Sequence, residues 1–214
     1  MALTLEISMS LDGFVAGPSP SLQDPLGKGG EDLHTWAFAA QAWREAHGLE
    51  GGEANADSAV IDEQLARTGA TIMGRKMFSG GEGRWEDDPN ANGWWGDDPP
   101  FHHHVFVLTH HAREPLALRD TTFHFVTDGI ESALAQAREV AGGKDVALGG
   151  GASVAQQYLK AGLIDELRIH VVPILLGDGA RLFDNLGDVR PRLECTQVVE
   201  APGVTHLTYR VHNK

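Results

Sequence analysis

The stretch DVALGGGASVAQQYL, residues 145–159, decides how the rest of the chain is read. A short apolar run meets Gly149, Gly150 and Gly151, and a segment with helical spacing follows. A helix that opens on a tight glycine turn presents free N–H groups and the positive end of its dipole, and glycine lets a phosphate approach the backbone. The same residues also describe a tight strand-to-helix turn that holds no ligand. The common dinucleotide fingerprint, G-x-G-x-x-G/A, is not met. Gly149 and Gly151 take its first two places, but Val154 stands at the third. No acidic residue follows a second strand at roughly the 20-position spacing that fingerprint needs. The turn therefore has to be placed by its neighbours.

Working outward, LTLEISMSL near the N-terminus alternates apolar and polar residues and predicts the first strand. DGFVAGPSPS is expected to turn, and residues 18–30 form a Pro/Gly-rich loop. EDLHTWAFAAQAWREAH has helical spacing from Leu33 to Trp43, with acids in its first turn. ADSAVIDEQLARTG predicts a second helix, capped by Asp57 or Ser58. ATIM is a short strand, and GRKMF opens the next turn or helix. Residues 79–101, rich in Gly, Asp, Pro and Trp, form a long loop.

HVFVLT and TTFHFVT are strands, GIESALAQAREVAGG is a helix, and DELRIHVVPIL is a long strand that Pro173 ends or bends. GDGARLF reads as a turn. RLECTQVVEA and VTHLTYRVHN flank Pro-Gly and predict a C-terminal antiparallel hairpin. Strands alternating with helices predict an α/β protein, with a mostly parallel central sheet covered on both faces.

Length and composition fit one domain over residues 1–214. The 17 basic and 30 acidic residues give a formal net charge of −13, and no basic run is present. That argues against a nucleic-acid backbone or an anionic membrane surface as partner. A single cysteine, Cys195, excludes an internal disulfide and a multi-cysteine zinc site. Its strand context, LECTQVV, predicts a buried, inert thiol. The N-terminus lacks a basic segment followed by an apolar one, and no apolar run nears the roughly 20 residues of a membrane span. A cytoplasmic protein is expected.

Two further segments carry chemistry. In TIMGRKMF, residues 71–78, a strand runs into Gly74 and then Arg75. Such an Arg can grip a phosphate with two nitrogens, or lie solvated on a surface turn. In VFVLTHH a strand ends at Thr109, His110 and His111, where open α/β sheets bind ligands.

Together with ALGGGASVAQQYL, these segments resemble the dihydrofolate reductase-like family. SLDGFVAG (10–17) and PILLGDGARLF (173–183) bring the resemblance closer to one branch of it. That branch includes the reductase domain of the bifunctional riboflavin-biosynthesis deaminase-reductase. Its typical segments are Ser-Leu-Asp-Gly and Pro-x-Leu-Leu-Gly-x-Gly-x-x-Leu-Phe.

The resemblance implies a three-layer fold and an NADPH-dependent oxidoreductase that passes hydride to a pterin or a ribosylated aminopyrimidine. Gly74, Arg75 and Lys76 would bind NADPH phosphates, with Arg75 on the 2′-phosphate. Thr109 and His110 would lie on the adenosine side, where the family often has two hydroxyl residues. Gly149, Gly150, Gly151, Ala152, Ser153 and Val154 would line the pyrophosphate and the nicotinamide ribose. An acid on the family's first helix holds the pterin, and Asp32 is the corresponding candidate, with Asp12 second. Related domains are often dimeric, so a homodimer is expected.

Two other classes compete: a non-catalytic nucleotide- or drug-binding protein using the same pocket, and a metal-dependent hydrolase built on the histidines. His102, His103 and His104 are consecutive, so on a strand they alternate faces and cannot converge on one metal. No metal is assigned. Trp85, Trp94 and Trp95 can stack on a substrate, anchor their loop or meet a second subunit. Asp87, Asp88, Asp97 and Asp98 are expected to be solvated.

Overall fold

The first strand, β1 (Leu3–Ser10), buries Leu3 and Leu5 on one face and Thr4, Ser8 and Ser10 on the other. A strand covered on both sides belongs inside a parallel sheet. The computed structural model describes residues 1–213. The remaining strands are β2 (Phe14–Ala16), β3 (Thr68–Gly74), β4 (His104–Leu108), β5 (Leu116–Leu118), β6 (Thr121–Val126), β7 (Asp145–Leu148), β8 (Glu166–Val172), β9 (Ala180–Arg181), β10 (Arg192–Ala201) and β11 (Val204–His212).

Nine of them form one sheet in the order β10-β11-β8-β1-β7-β3-β4-β6-β5. From β8 to β6 every neighbouring pair is parallel. The C-terminal hairpin β10–β11 is antiparallel and joins β8 antiparallel. At the far edge β5 adds an antiparallel strand to β6.

The helices are α1 (Thr35–Ala39), α2 (Gln41–Ala46), α3 (Ala56–Arg67), α4 (Arg75–Ser79), α5 (Ile130–Val140) and α6 (Ala152–Lys160). Helices α5 and α6 cover one face, where Ala133, Ala137, Ala155 and Tyr158 meet Leu5, Ile72 and Leu148 in the main core. On the other face, Leu33, Trp36 and Ile61 pack with Val172 and Val204. Beside them Met73, Val105, Val107 and Phe123 pack with Phe78 of α4 and with Trp85 and Trp95 of the 79–101 loop. The result is three layers.

Several local expectations need correction. The single helix read over EDLHTWAFAAQAWREAH is a 3₁₀ turn, Gly30–His34, followed by α1 and α2. The break falls at Ala40, which is extended (φ −72°, ψ 136°) because the chain there bonds to Glu53. Gln41 N donates to Glu53 O, and Glu53 N donates to Ala39 O. Neither Asp57 nor Ser58 caps α3. Asn55 does, accepting from Ser58 N at 3.1 Å, while Asp57 and Ser58 turn into the interior. FVA and AR, read as turns, pair as the two-stranded sheet β2–β9. Cys195 is exposed, not buried, because β10 is the outermost strand.

Candidate active site

The parallel strands carry their loops to one edge of the sheet. Adjacent strands β7 and β3 end there in the two glycine turns. Gly149 N donates to Ile72 O, and Gly74 N donates to Gly150 O, each at 2.9 Å. The Gly150–Gly151 peptide is cis. A Cβ on Gly74 would stand 2.9 Å from Val154 Cγ2, and one on Gly149 would stand 2.9 Å from Met77 Cε. Both positions need glycine for close approach of the turns, not for an unusual φ.

Helix α6 opens on this junction with Gly151 as its N-cap and no side-chain cap. Its first turn closes when Val154 N and Ala155 N donate to Gly151 O. That leaves the amides of Ala152 and Ser153 pointing out of the helix end. Ser153 and Gly151 are exposed, and a Cβ on Gly151 would meet nothing within 4 Å. An uncapped helix end beneath open space, edged by glycine, fits a phosphate group.

The β3–α4 turn is different. Arg75 is only 9% exposed, and its Nε donates to Ser79 Oγ at 3.0 Å. Its Nη2 pairs with the Asp88 carboxylate, and its guanidinium carbon lies 3.1 Å from the Trp85 ring centre. Nη1 is buried without a partner. Asp88 was expected in solvent; instead its side chain is fully buried, because the 79–101 loop folds back onto Arg75. Ser79, the Asn90 amide and Arg75 hold the Asp88 carboxyl below its ordinary range against the opposing pull of burial. Lys76 is exposed and paired with Glu82.

Thr109 is buried; its N donates to Val126 O at 3.0 Å, and its Oγ1 accepts from His111 N. His110 is exposed. The tryptophans anchor the loop. Trp85 Nε1 donates to His111 O at 2.7 Å, Trp95 packs edge-on against Phe101, and Trp94 fills the space beside Gly80.

Asp12 clamps two loops. It accepts from Ser10 Oγ at 2.6 Å and from the amides of Leu176 and Gly177. The Ser10 hydroxyl is the main cause that holds its carboxyl below the usual range. Asp32 lies exposed in the 3₁₀ turn, and its carboxylate has no protein partner among the described residues. The histidine run splits as strand alternation requires. His103 Nε2 sits 2.8 Å from Thr71 Oγ1, and His104 Nδ1 sits 2.8 Å from His124 Nε2.

One constellation was missed in the sequence. Beneath the 3₁₀ turn, Asp57 of α3, His206 of β11, His170 of β8 and Glu6 of β1 form a buried chain. The contacts are Asp57 Oδ1···His206 Nε2 at 2.8 Å, His206 Nδ1···His170 Nδ1 at 2.8 Å and His170 Nε2···Glu6 Oε1 at 3.2 Å. Which ring nitrogen donates in each contact depends on the imidazole tautomers. Burial lowers the His206 pKa, and Asp57 opposes that shift. Trp36 packs on both imidazoles and donates from Nε1 to Ser8 Oγ at 3.1 Å. The available signal was Glu6 in an alternating strand, on the same face as Ser8 and Ser10.

The sheet order and the paired glycine turns define an α/β protein of the dihydrofolate reductase-like fold. The structure superposes on dihydrofolate reductase from Enterococcus faecalis complexed with NADP(H) and RAB-propyl, with a TM-score of 0.51, 15% identity, and 98% and 96% of the two chains covered. More narrowly, the chain belongs to the RibD C-terminal domain family, whose model matches residues 1–207.

A protein of Shewanella sp. PV-4 provisionally assigned to riboflavin biosynthesis superposes with a TM-score of 0.67, at 22% identity over 99% of both chains. The diaminohydroxyphosphoribosylaminopyrimidine deaminase/5-amino-6-(5-phosphoribosylamino)uracil reductase of Thermotoga maritima gives a TM-score of 0.57 at 14% identity, over 98% of this chain and 56% of that one. An uncharacterised Bacillus subtilis protein, YyaP, is 26% identical in an alignment of 175 residues that covers 75% of this chain and 87% of its own. No helix among the described residues is long and apolar enough to cross a membrane.

Proposed function

We propose that this protein is a reductase that passes a hydride from NADPH to a small heterocycle, either a pterin or a ribosylated aminopyrimidine. One observation carries the reading: Gly74 N bonded to Gly150 O, which draws two glycine turns and an uncapped helix end to the same sheet edge. Family membership over residues 1–207 supports it, as do the reductase named in the Thermotoga protein and the NADP(H) named in the Enterococcus one.

When bound, the dinucleotide would supply the hydride, and water would supply the proton that completes the reduction. Gly149 to Val154 hold its pyrophosphate at the α6 N-terminus, and Thr109 and His110 border the adenosine. Gly74 and Lys76 lie at the neighbouring turn, with Arg75 facing the 2′-phosphate. Asp12 positions the loops that cover the reacting ring. It accepts three hydrogen bonds and has a lowered pKa, so it does not serve as the proton donor at neutral pH. Asp32, with a carboxylate free of protein partners, binds the polar edge of the substrate. Two copies of the chain assemble as a homodimer in the cytoplasm.

The test follows the loss of reduced-nicotinamide absorbance with dihydropterins and with ribosylated aminopyrimidines. Turnover that falls in Asp32→Asn is the expected result. Binding of NADPH without turnover on either substrate class would identify a non-catalytic binding protein instead.

A further inference from the structure

Arg75 and the 79–101 loop form a built anion site that already contains an anion. Asp88 Oδ2 accepts from Arg75 Nη2 and, at 2.7 Å, from Ser79 Oγ, while Asp88 Oδ1 accepts from Asn90 N at 2.8 Å. Trp85 covers one face of the guanidinium and is pinned through its own Nε1 to His111 O. Arg113 stands on the same indole with its guanidinium carbon 4.7 Å from the ring centre. Arg113 donates elsewhere, to Ala91 O and Asn92 Oδ1, so Asp88 pairs with Arg75 alone, and Arg75 Nη1 is buried without a partner. The internal carboxylate thus holds Nη2 of a buried guanidinium and leaves Nη1 unbonded.

We propose that Asp88 is an internal anion that competes with a 2′-phosphate for Arg75. Binding of a 2′-phosphorylated nucleotide and closure of the 79–101 loop then oppose each other. This rests on the reading of Arg75 as the 2′-phosphate partner. Carboxylate and phosphate approach a guanidinium fork in the same way, and two like charges on one buried fork repel. Lifting Asp88 also withdraws Trp85 and frees the guanidinium face. Coupling between sites is reciprocal, so the ligand that gains from loop opening must itself promote that opening.

The test uses 2′,5′-ADP, which carries the 2′-phosphate, and 5′-AMP, which does not, titrated by calorimetry into wild-type protein, Asp88→Asn and Arg75→Ala. Asp88→Asn is expected to bind 2′,5′-ADP at least about tenfold more tightly, with 5′-AMP unchanged. In wild-type protein 2′,5′-ADP is expected to speed tryptic cleavage after Arg84, a measurement that decides the matter if Asp88→Asn does not fold. Equal or weaker 2′,5′-ADP binding by a folded Asp88→Asn, or cleavage that the probe leaves unchanged or slows, overturns the proposal. If Arg75→Ala still loses 2′,5′-ADP under those results, the cofactor reading stands without the competition. If Arg75→Ala binds 2′,5′-ADP as wild type does, the role given to Arg75 fails as well.

Discussion

The amide of Gly74 donates to the carbonyl of Gly150 at 2.9 Å, tying the turn after β3 to the turn after β7. The two strands are neighbours in the sheet although α4, the rest of the 79–101 loop, three strands and α5 lie between them in sequence. The room for this bond comes from missing side chains. A Cβ on Gly74 would press on Val154 Cγ2 at 2.9 Å. Gly74→Ala should therefore cost about 1–3 kcal/mol through overpacking. Val154→Ala in the same chain should recover part of the loss. Urea unfolding of the single and double variants measures both, and simple additivity would remove the contact as the cause.

Asp57 and Asp32 should behave oppositely. Asp57 is buried against His206, so Asp57→Ala strands a chain of imidazoles without its terminal acceptor and should cost roughly 3 kcal/mol. Asp32 is exposed and unpaired, so Asp32→Ala should change stability by no more than about 0.5 kcal/mol. Paired melting curves test the contrast. Equal effects would mean that the Asp57 chain does not hold the β1–β8–β11 face to α3.

Acid should destabilise the fold through His103. Burial, followed by the neighbouring His102 and His104, pushes its pKa down to about 4 from an unfolded value of 6.5. Below about pH 6.5 the unfolded chain takes up a proton that the folded chain refuses, so stability falls as pH drops towards about 4. The full loss is up to about 3 kcal/mol. His103→Gln should flatten the dependence of the urea midpoint on pH across this window. An unchanged slope would assign the acid sensitivity elsewhere.

Much of the architecture was legible because it rests on local pattern. Alternation in LTLEISMSL, helical spacing in GIESALAQAREVAGG and the Pro-Gly hairpin each follow from short-range geometry. The glycine turns were legible only jointly, since Val154 spoils the common fingerprint and its true role is to pack on Gly74. What stayed hidden depends on distant partners. Ala40 leaves the helix because Glu53 pairs with the backbone beside it. Asp88 looked solvated because nothing near it in sequence shows that the loop returns to Arg75. Glu6, His170 and His206 lie on three strands whose adjacency is a property of the whole sheet. The exposure of Cys195 is hidden for the same reason: a strand-like segment does not reveal that it is the sheet's edge.

The most direct test of the dinucleotide site places a carboxylate at the α6 N-terminus. Ser153 is exposed in the first turn of that helix, where an acid complements the dipole and should leave the melting temperature equal or slightly higher. The same acid stands where the pyrophosphate would lie. Calorimetric titration of NADPH into wild-type protein and Ser153→Asp is the measurement. One-site binding by wild type, weakened at least about tenfold in an equally stable Ser153→Asp, is the predicted result. Equal affinity in the two proteins, or no binding by wild type, would contradict a dinucleotide site at these glycine turns.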